Sequence, residues 1–236
     1  MNEILGLITA RGGSKSIHRK NIKNLAGKPL IAWTIEVALQ NHGLNRVIVS
    51  TEDDEIASES IKWGAEVLYK RPLNLAQDDT PHIDVVLHSI HWLDENELWR
   101  PSYIMLLQPT SPLRSVNDID NAIQIAKSHD SNAVVSVCES EHHPYLTKRI
   151  REDNTLENFI SSDIEYLRRQ VLPPAYVLNG AIYLSKRKSI INNHTFIPED
   201  THAYIMPQER SLDIDSPWDF YLAELILNNK HDSTNN

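Results

Sequence analysis

A single cysteine, Cys138, in 236 residues rules out an internal disulfide. It closes an apolar segment, residues 133–138, with the character of a buried strand, so it is expected to pack rather than to act as a nucleophile. A reducing compartment is its natural setting. The apolar run at residues 4–8 is too short for a secretory h-region or a membrane span, and no basic residue precedes it. The expectation is a cytoplasmic protein without membrane contact. Surplus positive charge is missing too. With 23 Lys and Arg against 32 Asp and Glu the net charge is -9, which argues against a nucleic-acid binder, because a phosphate backbone demands a basic face. The eleven histidines are scattered without zinc-ligand spacing, and there is no internal repeat.

One absence is local. Between Ile4 and Ile35 there is no Asp or Glu, while Arg11, Lys15, Arg19, Lys20, Lys23 and Lys28 crowd into the same stretch. In an acidic chain such a segment points to a local anion site, better suited to a small phosphorylated ligand than to a polymer. A solvated basic loop would share that composition.

Hydrophobic residues make up 41% of the chain, enough for a substantial core in one large α/β domain. Short β-rich runs at residues 4–9, 46–50, 66–69, 103–107 and 133–138 alternate with helical stretches. Pro29 stands before a helix over 30–41, Thr51 or Asp53 can cap one over 55–63, and Ser115 or Asn117 can cap one running to Ser128. This order predicts βαβ units in a Rossmann-like, doubly wound, mostly parallel sheet, with ligands at the strand C-terminal ends. From about 140 to 175 the alternation fails and the composition turns polar, which reads as an inserted arm that a second subunit would cover in a homodimer. Strand-like runs return at 180–184 and 203–206, followed by a helix over 217–227. The domain is thus expected to span 1–227, with a disordered polar tail at 228–236.

After the first strand comes Ala10-Arg11-Gly12-Gly13-Ser14-Lys15, then Lys20-Asn21 and Gly27-Lys28-Pro29-Leu30. Paired glycines let backbone N–H groups approach phosphate oxygens, and Arg11, Lys15 and Lys20 supply charge. The run is neither a Walker loop nor a dinucleotide fingerprint, which leaves another kind of triphosphate loop. Near the other end, Asp213-Ile214-Asp215 would turn both carboxylates to one side of an extended segment. Those acids could hold Mg²⁺, yet before Ser216-Pro217 helix capping is the stronger reading on the residues alone. Gln108-Pro109-Thr110-Ser111-Pro112 likewise has the composition of a rigid turn, with Arg114 just beyond it.

Together these motifs resemble those of CMP-acylneuraminate synthetases, the cytidylyltransferases that activate sialic-acid-type sugars. The resemblance rests on A-R-G-G-S-K, K-N and G-K-P-L near the start, Val49-Ser50-Thr51 with following acids, and Arg71-Pro72. It continues through the run from Leu106 to Arg114, His142-His143-Pro144, Asn179-Gly180-Ala181-Ile182-Tyr183 and Ser211-Leu212-Asp213-Ile214-Asp215. It covers nearly the whole chain from Ile4 to Leu227 and implies a nucleotide-diphospho-sugar transferase type of fold. The implied reaction is attack by the anomeric hydroxyl of a nine-carbon 2-keto acid on the α-phosphorus of CTP, releasing pyrophosphate. Arg11, Gly12, Gly13, Ser14, Lys15 and Lys20 would hold the triphosphate, Lys20 nearest the reacting phosphate, with Ala10, Asn21, Arg71 and Asp78 lining the nucleotide. Asp213 and Asp215 would bind Mg²⁺, reversing the capping preference. Arg169 would grip the sugar carboxylate, and Gln108, Asn179 and Tyr183 would line the sugar.

Three departures fall on the acceptor side or pocket rim. Val177 stands where many relatives carry arginine, Asp79-Thr80-Pro81-His82 replaces a serine-rich stretch, and Leu146 replaces a lysine that Lys148 could supply. The resemblance therefore implies cytidylyl transfer more narrowly than it implies the acceptor, N-acetylneuraminate or legionaminate. The alternatives are an enzyme for the eight-carbon acid Kdo, a nucleotide-binding regulator without turnover, or an interaction module.

Overall fold

The computed structural model describes residues 3–160 and 171–234. Ten strands are present among them: β1 Ile4–Thr9, β2 Asn24–Leu25, β3 Lys28–Pro29, β4 Arg46–Ser50, β5 Tyr103–Leu106, β6 Ala133–Glu139, β7 Lys148–Ile150, β8 Leu156–Asn158, β9 Tyr176–Lys186 and β10 His202–Ile205. The helices are α1 Leu30–Gln40, α2 Asp54–Lys62, α3 His82–Asn96, α4 Val116–Ser128, α5 Arg187–Asn193 and α6 Pro217–Thr234. Six strands form one sheet in the order β10-β6-β9-β5-β1-β4. All run parallel except β9, which is antiparallel to both β5 and β6. The mostly parallel, doubly wound expectation therefore holds.

The reason lies in the side chains of the central strand. Every residue of β1 is buried. Ile4 and Ile8 meet α1 and α4 on one face, whereas Leu5 and Leu7 meet α3 on the other. A strand covered on both faces has no use for a polar alternation, which is why β1 is a continuous apolar run. The helix starts are set locally. Asp53 accepts hydrogen bonds from the Glu55 and Ile56 amides to cap α2, and Ser115 forms a reciprocal capping box with Asp118 on α4.

The chain leaves β1 toward β4 on one side and later crosses to β5 on the other. That switch opens a crevice beyond the C-terminal ends of β1 and β5. A third, smaller core closes its flank, where Ile17, Leu25 and Leu30 pack against Leu113, Ile214 and the α6 residues Phe220, Ala223 and Leu227.

Three boundaries differ from the sequence expectation. Residues 66–69 make no strand. They follow the outer edge of β4 through isolated bridges at Glu66 and Lys70, and between these Tyr69 turns inward to donate to Ser89 Oγ at 2.5 Å. Strand β9 begins at Tyr176, ahead of the expected 180, because its first half pairs with β6 beyond the end of β5. Helix α6 runs to Thr234, past Leu227, since no Pro or Gly interrupts it, so residues 228–234 are helical and not a disordered tail. Within the arm, β7 and β8 form an antiparallel hairpin. Among the described residues no helix is long and apolar enough to cross a membrane.

Candidate active site

The crevice beyond β1 and β5 is lined by the glycine turn (Arg11, Gly13, Ser14), by Lys20 and Asn21, by Arg71 and the loop through Asp78 to His82, by Gln108-Pro109-Thr110, and by Asp213 and Asp215. Two segments at opposite ends of the chain thus face one space. Lys20 joins them directly: its ammonium donates to Ile214 O at 2.8 Å and lies 3.8 Å from the Asp215 carboxylate.

The two glycines have different tasks. A Cβ on Gly12 would lie 2.5 Å from Asp53 Oδ2, so this residue permits the turn to press on the β4–α2 junction. Its amide donates to Glu52 Oε1 at 2.7 Å. The Gly12 amide is therefore engaged within the protein and not turned to the cleft, unlike its expected role as an N–H donor to phosphate. Gly13 has nothing within 4 Å of an added Cβ and lines the open crevice. The far end of the turn is held by Arg19, which donates to both Asp53 oxygens at 2.5 and 2.9 Å. That pairing, more than the capping bonds, holds the Asp53 carboxyl below its ordinary value. Counter-charge for Arg19 thus comes from the turn after β4.

Ala10 is buried beside the crevice, its carbonyl accepting from Arg71 Nη2 at 2.7 Å. The same nitrogen donates to Glu52 Oε2 at 2.7 Å, so Arg71 is a buried brace that also lines the cleft. Asn21 donates to Arg11 O at 2.9 Å, fixing the turn. Asp78 pairs with Arg11 at 2.8 Å and with Lys15 at 2.7 Å. It stands on the cations expected to meet a triphosphate.

The ambiguity at residues 213–215 is resolved by their neighbours. Ser216 and Asp219 cap α6 between themselves: Asp219 Oδ2 accepts from the Ser216 amide at 2.7 Å, and Ser216 Oγ accepts from the Asp219 amide at 3.3 Å. Capping therefore needs neither Asp213 nor Asp215. Ile214 is fully buried between them, and both acids line the cleft. Burial, with the Asp215 charge adding to it, pushes the Asp213 carboxyl above the ordinary carboxylate value, against a hydrogen bond from Thr110 and the charge of Lys20. Asp213 Oδ1 is buried without a hydrogen-bond partner. A buried carboxylate with an unsatisfied oxygen beside a second carboxylate suits a hard divalent cation such as Mg²⁺, whose remaining ligands would be phosphate oxygens and water. Among the described residues no group of three or more His, Cys, Asp or Glu forms a fuller protein cage.

Of the residues expected on the sugar side, Gln108 lines the cleft. Asn179 is turned into the protein instead. The Asn179 amide is spent within the protein, accepting from Ser136 Oγ at 2.6 Å and donating to Ser211 Oγ at 2.9 Å, which stabilises the irregularity where β9 passes β6. Tyr183 packs its ring against Phe196 under α3 and α5, while burial and then the charge of Asp213 push its hydroxyl above the ordinary phenol value. Arg169 lies outside the described residues. Sequence reasoning missed Glu52 and the siting of Gly180. Gly180 has φ +71°, and an added Cβ there would lie 2.8 Å from Gln108 Oε1 and 2.9 Å from Asp213 Oδ2. Arg114 is fully enclosed, donating to Ala181 O, Thr34 Oγ1 and Gln108 O at 2.8, 3.2 and 2.7 Å. Burial pushes it down to about 9, against the charges of Asp118 and Asp213. It shapes the Gln108 turn from below.

A family model described as Cytidylyltransferase matches residues 5–214. The chain is 36% identical over 226 residues to a CMP-N,N'-diacetyllegionaminic acid synthase of Legionella pneumophila, covering 95% of this chain and 96% of the relative. It is 33% identical to an N-acylneuraminate cytidylyltransferase of Escherichia coli over 97% of this chain, spanning about half (53%) of that longer relative. Among solved structures, the fold is similar to CMP:2-keto-3-deoxy-manno-octonic acid synthetase complexed with CTP, with TM-score 0.70 and 18% identity over 97% of this chain and 99% of the other.

Proposed function

Because the chain belongs to the cytidylyltransferase family, we propose that it joins CMP from CTP to a nine-carbon 2-keto acid of the legionaminate or N-acetylneuraminate type, releasing pyrophosphate. The observation that carries this reading is the meeting of the cationic turn and the paired aspartates in one cleft, with Lys20 of the first segment bonded to the second. The anomeric oxygen forms a bond to the α-phosphorus while the α–β anhydride bond breaks. Little covalent work falls to the protein, so positioning and charge dominate. Gly13 and Ser14, with Arg11 and Lys15 once released from Asp78, receive the β- and γ-phosphates. Lys20 offsets charge gathering on the α-phosphate and the leaving group. Asp213 and Asp215 would hold Mg²⁺, which would polarise phosphate oxygens and acidify the sugar hydroxyl, whose proton passes to water as the bond to phosphorus forms. Gln108 orients the acceptor, and Arg169 is retained as the partner of its carboxylate.

The acceptor class is supported by the near full-length similarity to the Legionella relative. The setting is the cytoplasm, where CTP is available. A second copy of the chain is the proposed cover for the arm, which exposes Ile150, Leu156 and Phe159, while the start of β9 exposes Tyr176, Val177 and Leu178. Sedimentation as a monomer at micromolar concentration would remove that part.

The test is pyrophosphate release from CTP and Mg²⁺ with N-acetylneuraminate, N,N'-diacetyllegionaminate and Kdo offered in turn. Turnover with one or both nine-carbon acids is expected. Exclusive use of Kdo overturns the acceptor class, and silence with all of them favours a nucleotide-binding regulator.

A further inference from the structure

The last backbone ties at this end of the sheet are Ala10 N to Ser50 O at 3.1 Å and Arg71 N to Thr51 O at 2.9 Å. Beyond them, the turn after β1, the turn after β4 and the loop beginning at Arg71 run on as irregular chain. Those segments carry much of the nucleotide side of the cleft. One side chain continues their register where the ladder stops. Glu52 accepts from the Gly12 amide through Oε1 and from Arg71 Nη2 through Oε2, both at 2.7 Å. Its own side chain is 11% exposed and that of Arg71 only 4%.

We propose that Glu52 is a positioning residue for the nucleotide, a carboxylate clamp that locks the glycine turn and the Arg71 guanidinium into one rigid frame. The proposal rests on the cytidylyltransferase reading. Glu52 removes the Gly12 amide from competition for phosphate, so the turn presents Gly13 and Ser14 in a fixed orientation. On the other side it combines with Ala10 O to occupy Arg71 Nη2 twice. Arg71 Nε, on the same edge of the guanidinium as Nη2, is buried as well, so that edge is turned into the protein. Without Glu52 the buried guanidinium loses its charged anchor and the glycine turn loses its tie, so neither is held where the nucleotide needs it. The neighbouring Asp53 cannot substitute, since it is engaged by Arg19 and the first turn of α2. Adjacent acids therefore divide the work: Asp53 anchors the outer end of the basic segment and Glu52 its inner, ligand-facing end.

The experiment compares the full-length protein with Glu52→Gln, which preserves shape and can still accept from Gly12 while losing the charge that faces Arg71. CTP affinity is measured by calorimetry without acceptor, and steady-state kinetics are run for each substrate in turn. The expected result is a rise in CTP Kd and KM of about tenfold, the size of one lost hydrogen bond to a charged group. The acceptor KM and kcat at saturating CTP should stay within about twofold, the pattern of lost uniform binding. Glu52→Gln in an Arg71→Met background should add little further, because the clamp has then lost one jaw. Unchanged or tighter CTP binding overturns the proposal, as does an equal change in both substrate constants that follows a fall in melting temperature. Absence of turnover in the unaltered enzyme would instead overturn the cytidylyltransferase reading on which it rests.

Discussion

The Asp78 carboxylate lies 2.8 Å from the Arg11 guanidinium, and its second oxygen lies 2.7 Å from Lys15. Two of the cations best placed for a triphosphate are thus satisfied from within before any ligand enters. On the proposed reading, a triphosphate displaces this carboxylate and leaves it as a nearby negative charge. Asp78→Asn should therefore lower the CTP KM and strengthen inhibition by pyrophosphate, by roughly twofold to fivefold given the solvent exposure of the pair. Competition titrations with pyrophosphate at several ionic strengths check this, with the gain shrinking as salt rises. A raised CTP KM would mean that Asp78 itself contacts the nucleotide.

Asp213, the proposed metal ligand, sits where its charge costs stability. Its carboxylate is buried beside Asp215 with one oxygen unpartnered. Asp213→Asn should raise the melting temperature of the metal-free protein by a few degrees, on the order of 1 kcal/mol, because a repelled, under-satisfied charge is removed. Turnover should fall by about a hundredfold or more as a metal ligand is lost. Added Mg²⁺ should raise the melting temperature of the parent protein but not of the variant. A variant that is both less stable in the absence of metal and still protected by Mg²⁺ would contradict this account.

The sequence made legible what depends on local pattern. The apolar run of β1, the strand-then-glycine order around Gly12 and Gly13, and the acids at 213 and 215 all follow from near neighbours in the chain. Partnerships between distant side chains were not legible. Glu52 is forty residues from Gly12. Its trace is indirect, since an acid-free basic segment has to draw its counter-charge from elsewhere, and the acids after β4 are candidates. Nothing local separates Asn179, whose amide serves the β9 irregularity, from an asparagine that binds ligand. The capping ambiguity at Asp213 and Asp215 was settled by Ser216 and Asp219, residues already visible in the sequence, but only their geometry shows that the cap is complete without the earlier pair.

The loop that carries the aspartates is anchored from behind. Arg210 donates to both oxygens of the fully buried Asp118, at 3.0 and 2.8 Å, and Tyr204 donates to the same carboxylate at 2.7 Å. Burial pushes the Asp118 carboxyl up, but the bonds from Arg210, Ser115 and Tyr204 outweigh it and hold the group below its ordinary 3.8. A carboxyl depressed in the folded state stabilises the fold fully above its unfolded value, and that contribution is lost as pH falls through the folded one. Asp118→Asn should therefore cost about 3 kcal/mol near neutral pH, by leaving Arg210 without its partner. The gap from the parent protein should close as the pH drops below 3.8. Denaturant melts across that window measure it, and a gap independent of pH would show that packing, not charge, is lost.

Gly180 combines a backbone demand with a spatial one. Its φ of +71° lies in the left-handed region, and an added Cβ would sit 2.8 Å from Gln108 Oε1 and 2.9 Å from Asp213 Oδ2. A glycine there lets β9 pass directly under one residue assigned to the acceptor and one assigned to the metal, keeping both within reach of a single reacting centre. Gly180→Ala should cost about 1–2 kcal/mol of stability for the conformation alone. Both neighbouring side chains also have to move aside, and misplacing groups by about 1 Å at a reacting centre costs on the order of a hundredfold in rate. The expected pattern is a folded protein a few degrees less stable, with kcat reduced far more than that loss explains and CTP affinity nearly kept, because the glycine turn and Lys20 are untouched. Near-normal kcat in a folded Gly180→Ala protein would show that neither Gln108 nor Asp213 needs its observed position, and would remove both from the proposed chemistry.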